Sequence, residues 1–406
     1  MPVELDLARG WRLGGDLSAP EAALAGAELE ATLGPAGDEG VEIVLSHDAA
    51  AGEGFRRRVG AQRVELHGES SRGLLFGAYA TLEQLGARWP WPGESQARVE
   101  GARLEEEVEN GPALSGRCLI LGERALVEDA ESWIVWAARQ RLNCVFAHVS
   151  TAPEPVGSAP EATWRERRER AVALARERGM TIEHGGHLLP ELLTRGDVRA
   201  LAEGHRLGKT ARGVLENHVR AHPEADVVHL WGADLPPGAR GGREASEAAL
   251  RTANALAEVV EDAHPAAQVA FLAYHDTEEV PRGVRPRHNV CLLFAPRERC
   301  YDHALTDPAC RRNARYRELF RAQVDHFGAA GAPPPRVFEY WFDAILFPGG
   351  VPDLTSTMAE DLAFYRDAGA HTVQILMTGH GRPPPPHPNP RAFARLAWDP
   401  RAGASA

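Results

Sequence analysis

The sequence predicts an α/β protein: a (β/α)8 barrel of the TIM type preceded by a small α/β domain. Three observations point there. Eight short apolar runs alternate with mostly helical stretches over about 290 residues, the size of such a barrel. Several of these runs end in polar, titratable or aromatic residues, as strands do at the face where a parallel barrel places its chemistry. The first ~110 residues differ, with short, part-alternating runs and one clear helix. The expected division is residues 1–112 for the small domain and 113–406 for the barrel.

In the small domain, Val41–Leu45 and Arg63–His67 alternate in the manner of strands. A helix follows from about Leu74 to Leu85, with Leu75, Tyr79, Leu82 and Leu85 on one face and Gly86 ending it. The Trp89-Pro-Trp-Pro92 cluster is rigid and aromatic, suited to covering the end of a core or packing against the next domain.

Beyond Pro112 the expected strands are Leu114–Leu121, Cys144–Val149, Met180–Glu183, Val227–Trp231, Val269–Tyr274, Asn289–Phe294, Arg336–Trp341 and Thr372–Met377. Helices are expected at Asp129–Arg141, Ala162–Arg178, Val214–Arg220, Glu244–Ala263, Arg311–Phe327, Thr357–Ala368 and, short, Pro390–Ala397. Only a Pro/Arg loop follows the fifth strand. The clearest strand end is Val227-Val-His-Leu-Trp-Gly-Ala-Asp-Leu-Pro-Pro237, where an apolar run stops at a loop carrying Asp234.

The 45 basic and 57 acidic residues give a net charge of −12, which argues against nucleic-acid and anionic-membrane surfaces. No apolar run approaches the ~20 residues needed to span a bilayer, and no secretion signal is read at the N-terminus. A cytoplasmic protein is the expectation. Cys118, Cys144 and Cys291 sit in apolar runs, and the odd total of five cysteines shows neither a disulfide framework nor a zinc pattern. No cofactor is expected, and oligomeric state is not legible.

The strand ends carry His148; Glu183, His184 and His187; Trp231 and Asp234; Tyr274, His275 and Asp276; Arg297, Glu298 and Arg299; Glu339, Tyr340, Trp341 and Asp343; and His380. Acids flanked by aromatic rings suit sugar chemistry. Rings stack on pyranose faces, while carboxyl groups protonate a glycosidic oxygen, activate water or steady an oxocarbenium-like state. Asp234 and Glu339 are the expected catalytic pair, with Asp276 and His275 as further catalytic candidates. A separation of about 5–5.5 Å would imply retention and about 6.5–9.5 Å inversion. His187, Glu183, Trp231, Tyr274, Arg297, Tyr340 and Trp341 are the expected substrate contacts.

At these residues the chain resembles the glucuronidase and hexosaminidase group of glycoside hydrolases, and most closely uncharacterised bacterial proteins with a glucuronidase-like barrel. Ser71-Arg-Gly-Leu-Leu-Phe-Gly-Ala-Tyr-Ala-Thr-Leu-Glu-Gln-Leu85 is similar to the segment those enzymes place before their barrels. Ile182-Glu-His-Gly-Gly-His187 resembles the third-strand end of family 20 hexosaminidases, and His229-Leu-Trp-Gly-Ala-Asp234 their fourth-strand Gly-Gly-Asp-Glu. The resemblance implies a terminal sugar as substrate, with acidic and N-acetylated sugars among the candidates. It carries over Asp234 and His187. The residue after that Asp is the general-acid Glu in hexosaminidases and Leu235 here. The acid role then falls to Asp234, Glu339 or Asp276, or the chemistry differs, or activity has been lost. Two alternatives stand beside the glycosidase: a metal-dependent hydrolase using His148, His184, His187, His229 or His275 with Asp276, and a non-catalytic carbohydrate-binding protein.

Overall fold

A computed structural model describes residues 2–96, 103–151, 157–233, 241–380, 384 and 386–400. The barrel strands are β1 (Gly116–Leu121), β2 (Cys144–Ser150), β3 (Thr181–Gly186), β4 (Val227–Leu230), β5 (Gln268–Ala273), β6 (Val290–Phe294), β7 (Arg336–Asp343) and β8 (Thr372–Thr378). They pair in parallel in chain order, and β8 returns to pair with β1. The result is a closed eight-stranded parallel barrel, as the sequence predicts. A two-residue strand, Ala159–Pro160, adds outside the ring on Val149–Ser150.

The crossovers include α1 (Arg195–Ala202), α2 (Lys209–Ala221), α3 (Arg243–Ala263), α4 (Arg311–Ala329), α5 (Thr355–Asp367) and α6 (Pro388–Trp398). Between β5 and β6 there is only a 3-10 turn, His275–Thr277, and a loop. Every residue of β1, β2, β4, β6, β7 and β8 is buried, which is why these strands are mostly apolar without a hydrophobic–polar alternation.

Side chains alternate between the barrel interior and the surrounding helices. The interior holds a charged layer. Glu183 Oε1 takes Arg336 Nη1 at 2.6 Å, and Glu183 Oε2 takes His229 Nε2 and Gln374 Nε2, each at 2.8 Å. Burial alone pushes the Glu183 carboxyl up, but Arg336 and His229 more than reverse this and hold it down at about 2. This layer fills the barrel as packed core.

Contacts divide the chain into two compact units. One comprises Met1–Ala113, Glu131–Asn143 and Ala173–Met180; the other comprises Leu114–Ala130, Cys144–Val172 and Thr181–Ala406. The first contains a five-stranded sheet ordered Trp11–Gly15, Val41–His47, Arg63–Gly68, Phe55–Gly60, Glu107–Asn110. Its helix Ser71–Gln84 starts where Ser70 accepts a hydrogen bond from Gly73 N, an N-cap in the usual sense. Trp89 and Trp91 are buried in this unit against Trp136 and Trp133, the Trp91–Trp133 rings meeting edge-on at 5.2 Å. Among the described residues no helix is long and apolar enough to cross a membrane.

Candidate active site

The C-terminal ends of β2 to β8 enclose a hollow of about 240 Å³. Its walls are His148 from β2, His187 just past β3, Trp231 past β4, Tyr274 and His275 past β5, Arg297 past β6, Tyr340 and Asp343 of β7, and Thr378 of β8. A second hollow of about 410 Å³ adjoins it and shares His187, Trp231, Tyr274 and His275. That one opens between β4 and β5, which pair at only two positions, and is lined mainly by apolar residues of α3 and α1.

Each functional side chain is set by local structure. Gly185 and Gly186 hold φ of +123° and +152°, and a Cβ on Gly185 would stand 2.0 Å from the His229 carbonyl oxygen. Only glycine lets β3 approach β4 this closely and then turn to present His187. The His187 ring is fixed by Nδ1–H donating to Gly232 O at 2.6 Å. Trp231 is 6% exposed, and its indole N–H has no hydrogen-bond partner among the described residues. His148 stays neutral, pushed down to about 3 by burial and then by the neighbouring His187 and His229.

The turn after β5 is built by Thr277, whose hydroxyl reaches Tyr274 O and Leu272 O at 2.8 and 2.9 Å. It forces His275 into the left-handed region at φ +50°, an uncommon position for a residue with a side chain. His275 Nδ1 pairs with Glu298 Oε1 at 3.0 Å. Tyr274 and Tyr340 lie near-parallel, centroids 6.4 Å apart.

Arg297 stands between two acids, with Nη1 3.8 Å from Glu298 Oε1 and Nε 3.9 Å from Asp343 Oδ2, and lies over the Tyr340 ring. Asp343 is 2% exposed. Burial pushes its carboxyl up; the Ile345 N–H at 2.8 Å and the charge of Arg297 oppose this only in part. A shielded acid that keeps its proton above the usual carboxylate range can act as a proton donor.

Of the residues expected from sequence, His187, Trp231, Tyr274, His275, Arg297 and Tyr340 share the mouth hollow, and Asp276 lines the adjoining one. Asp234 lies outside the described residues, one position beyond Ala233, which lines the larger hollow.

Three expectations need correction. Glu183 is not a substrate contact, because Arg336, His229 and Gln374 saturate it inside the barrel. Glu339 is fully buried on the outward side of β7. Arg299 Nε lies 3.0 Å from its Oε1, and Tyr365 of α5 donates to the same oxygen at 2.5 Å. Arg299 also binds Asp361 of α5 at 2.7 Å, so it serves this ion cluster and not the rim. Trp341 is likewise outward, against Phe393 of α6. The histidines of the metal alternative fall in three places. His184 faces His222 and His218, His229 is committed to Glu183, and His148, His187 and His275 line the hollow.

Asp343 appears among the strand-end residues in the sequence but not among the expected catalytic ones. Strict alternation from inward Arg336 would send it outward. A β-bulge between Glu339 and Phe342 reverses the parity, so that Asp343 pairs with inward Thr378. The acid-rich strand end is the only trace of this in the sequence.

Residues 238–405 match the model of a family described as a domain of unknown function, DUF4838. No curated protein matches the sequence. Among solved structures, a β-N-acetylhexosaminidase from Bacteroides fragilis NCTC 9343 aligns with a TM-score of 0.62 at 14% identity, covering 98% of this chain and 88% of that one. The GH20 exo-β-N-acetylglucosaminidase from Vibrio harveyi, in complex with N-acetylglucosamine, gives 0.60 at 11%, covering 98% and 71%. A GH138 enzyme targeting pectin rhamnogalacturonan II gives 0.58 at 13%, covering 96% of this chain, which spans half the length of that enzyme. At these identities the likeness is one of fold.

Proposed function

We propose that this chain is a glycoside hydrolase that removes a terminal sugar at the barrel mouth, with Asp343 as the general acid. The observation that carries the proposal is Asp343 itself, a buried carboxyl held above its ordinary range, beside a cation, in a hollow walled by aromatic rings. The hollow is small against the ~300–1,000 Å³ of typical ligand pockets, which suits one ring in preference to a polymer. Trp231, Tyr274 and Tyr340 offer faces to a pyranose, and the unpartnered indole N–H of Trp231 offers a donor to a sugar oxygen. Asp343 protonates the leaving oxygen. His187 takes the proton of the attacking water, or Asp234 steadies the developing positive charge. Arg297 favours a sugar bearing a carboxylate or another electron-rich substituent.

The test is turnover of aryl glycosides, with N-acetylhexosaminides and uronides in the same panel, by wild type and by Asp343→Asn. Release from at least one substrate, reduced at least about 100-fold in the variant, supports the reading. Equal rates in the two proteins remove Asp343 from it.

One observation favours a second reading, a carbohydrate-binding protein without catalysis: the expected partner acid, Glu339, is sequestered in an ion cluster. Calorimetric binding of a sugar that is never hydrolysed, abolished by Trp231→Ala, would select it.

A further inference from the structure

Three clusters among the described residues bring metal-binding atoms together. In the first, His184, His218 and His222, the third member already has both ring nitrogens on carboxylates, Glu161 at 3.1 Å and Glu224 at 3.4 Å. In the second, Cys118, Cys144 and Glu183, the acid is saturated by Arg336 and His229. The third, Cys300, His303 and Cys310, has no such competitor for its sulfur atoms.

We propose that Cys300, His303 and Cys310 hold one thiophilic divalent cation of the zinc class, which fastens the loop between β6 and α4. Cys300 Sγ lies 3.2 Å from His303 Nδ1, and the ligand atoms of all three lie within 4.8 Å of one another. A tetrahedral zinc with Zn–S of about 2.3 Å and Zn–N of about 2.05 Å separates S and N by about 3.6 Å. The pair must therefore open by only a few tenths of an ångström.

The loop is built to keep these atoms together. Asn313, fully buried in the first turn of α4, accepts from Cys300 N at 2.9 Å and donates to the carbonyls of Cys300, His303 and Ala304 at 3.0, 2.9 and 3.1 Å. Arg317, one turn on, donates to the carbonyls of Leu305 and Asp307. Cys310 is the residue from which α4 starts.

The second nitrogen of His303, Nε2, faces Asp307 Oδ2 at 4.0 Å. A carboxylate behind the non-ligating nitrogen is the arrangement that orients metal-bound imidazole. His303 is exposed and both cysteines are half-buried, so an ion can enter. Three protein ligands leave the fourth tetrahedral position to water. The same loop carries Arg297 and Glu298, so the ion would stiffen one wall of the mouth hollow.

The experiment uses the full chain. Purified protein is stripped with a chelator under reductant, loaded with zinc, and its metal content measured. Cobalt is then added to the stripped protein, and the sulfur-to-metal charge-transfer band is recorded. The expected result is one zinc per chain, a thiolate–cobalt band, and loss of both in Cys300→Ser and Cys310→Ser. Asp307→Asn, a change at a half-buried side chain that leaves the ligands in place, should weaken affinity about 10–100-fold. Background metal in the wild type overturns the proposal, as does undiminished metal in the cysteine variants. A Cys300–Cys310 disulfide that persists in the wild type and excludes zinc also overturns it.

Discussion

Asp343 reaches the hollow because β7 carries one residue more than its neighbour at the bulge between Glu339 and Phe342. Burial raises its carboxyl, and Arg297, 3.9 Å away, offsets this only in part, which is what supports the proposed role as general acid. The expected pH dependence follows. The protonated form is active, so kcat/KM falls as pH rises through a pKa above the ordinary Asp value of 3.8. Asp343→Asn should remove turnover by about 10²–10⁴-fold without lowering the melting temperature. Asp234→Asn tests the residue carried over by resemblance, and turnover unchanged by it would take Asp234 out of the mechanism.

Glu183 behaves oppositely. Its carboxyl falls from 4.5 to about 2 on folding, so its contribution is fully present above pH 4.5 and is lost as pH falls towards 2. At 1.36 kcal/mol per pH unit this is about 3 kcal/mol. Glu183→Gln should be less stable at pH 7, with a shallower loss of stability between pH 4.5 and 2 in denaturant titrations. A slope identical to wild type would contradict the assignment.

At the scale of elements, the strand ends set the site and the strand faces decide which residues enter it. β3 and β4 converge because Gly185 has no side chain. Gly185→Ala would put a methyl 2.0 Å from the His229 oxygen at positive φ, and should cost at least about 1–3 kcal/mol. On the outer side of β7, Glu339, Arg299 and Asp361 link β7 to α5 and to the loop after β6. One cation serves two buried acids, and Arg299 is held firmly charged: burial opposes this, and Asp361 and Glu339 outweigh it. Glu339→Ala should cost about 3–5 kcal/mol in chemical denaturation, while the KM of the folded fraction stays close to wild type. A catalytic role would show the reverse pattern, intact stability with lost kcat.

Taken over the whole molecule, the barrel was legible because its strands are apolar runs bounded by turn residues and separated by helices long enough for parallel crossovers. The rim was half legible. Residues just past strand ends, such as His187, Trp231, Tyr274 and Arg297, fall at the mouth wherever the strand faces. Residues inside a strand depend on parity: alternation from inward Arg336 turns Glu339 and Trp341 outward, and only the bulge breaks it to turn Asp343 inward. Glu183 was misplaced in depth, lying mid-strand in the charged layer, several residues before the end of β3 that carries His187. The Cys300–His303–Cys310 grouping was missed because its spacing matches no standard zinc pattern; the turn held by Asn313 brings it together.

The most direct measurement is a crystal structure of Asp343→Asn soaked with the glycoside that the wild type cleaves fastest. The account predicts a sugar ring in the hollow between β2 and β8, against Trp231 or the Tyr274–Tyr340 pair, with the amide of residue 343 within about 3.2 Å of the glycosidic oxygen. A ring bound elsewhere, or seated in the hollow with that oxygen turned away from position 343, would contradict it.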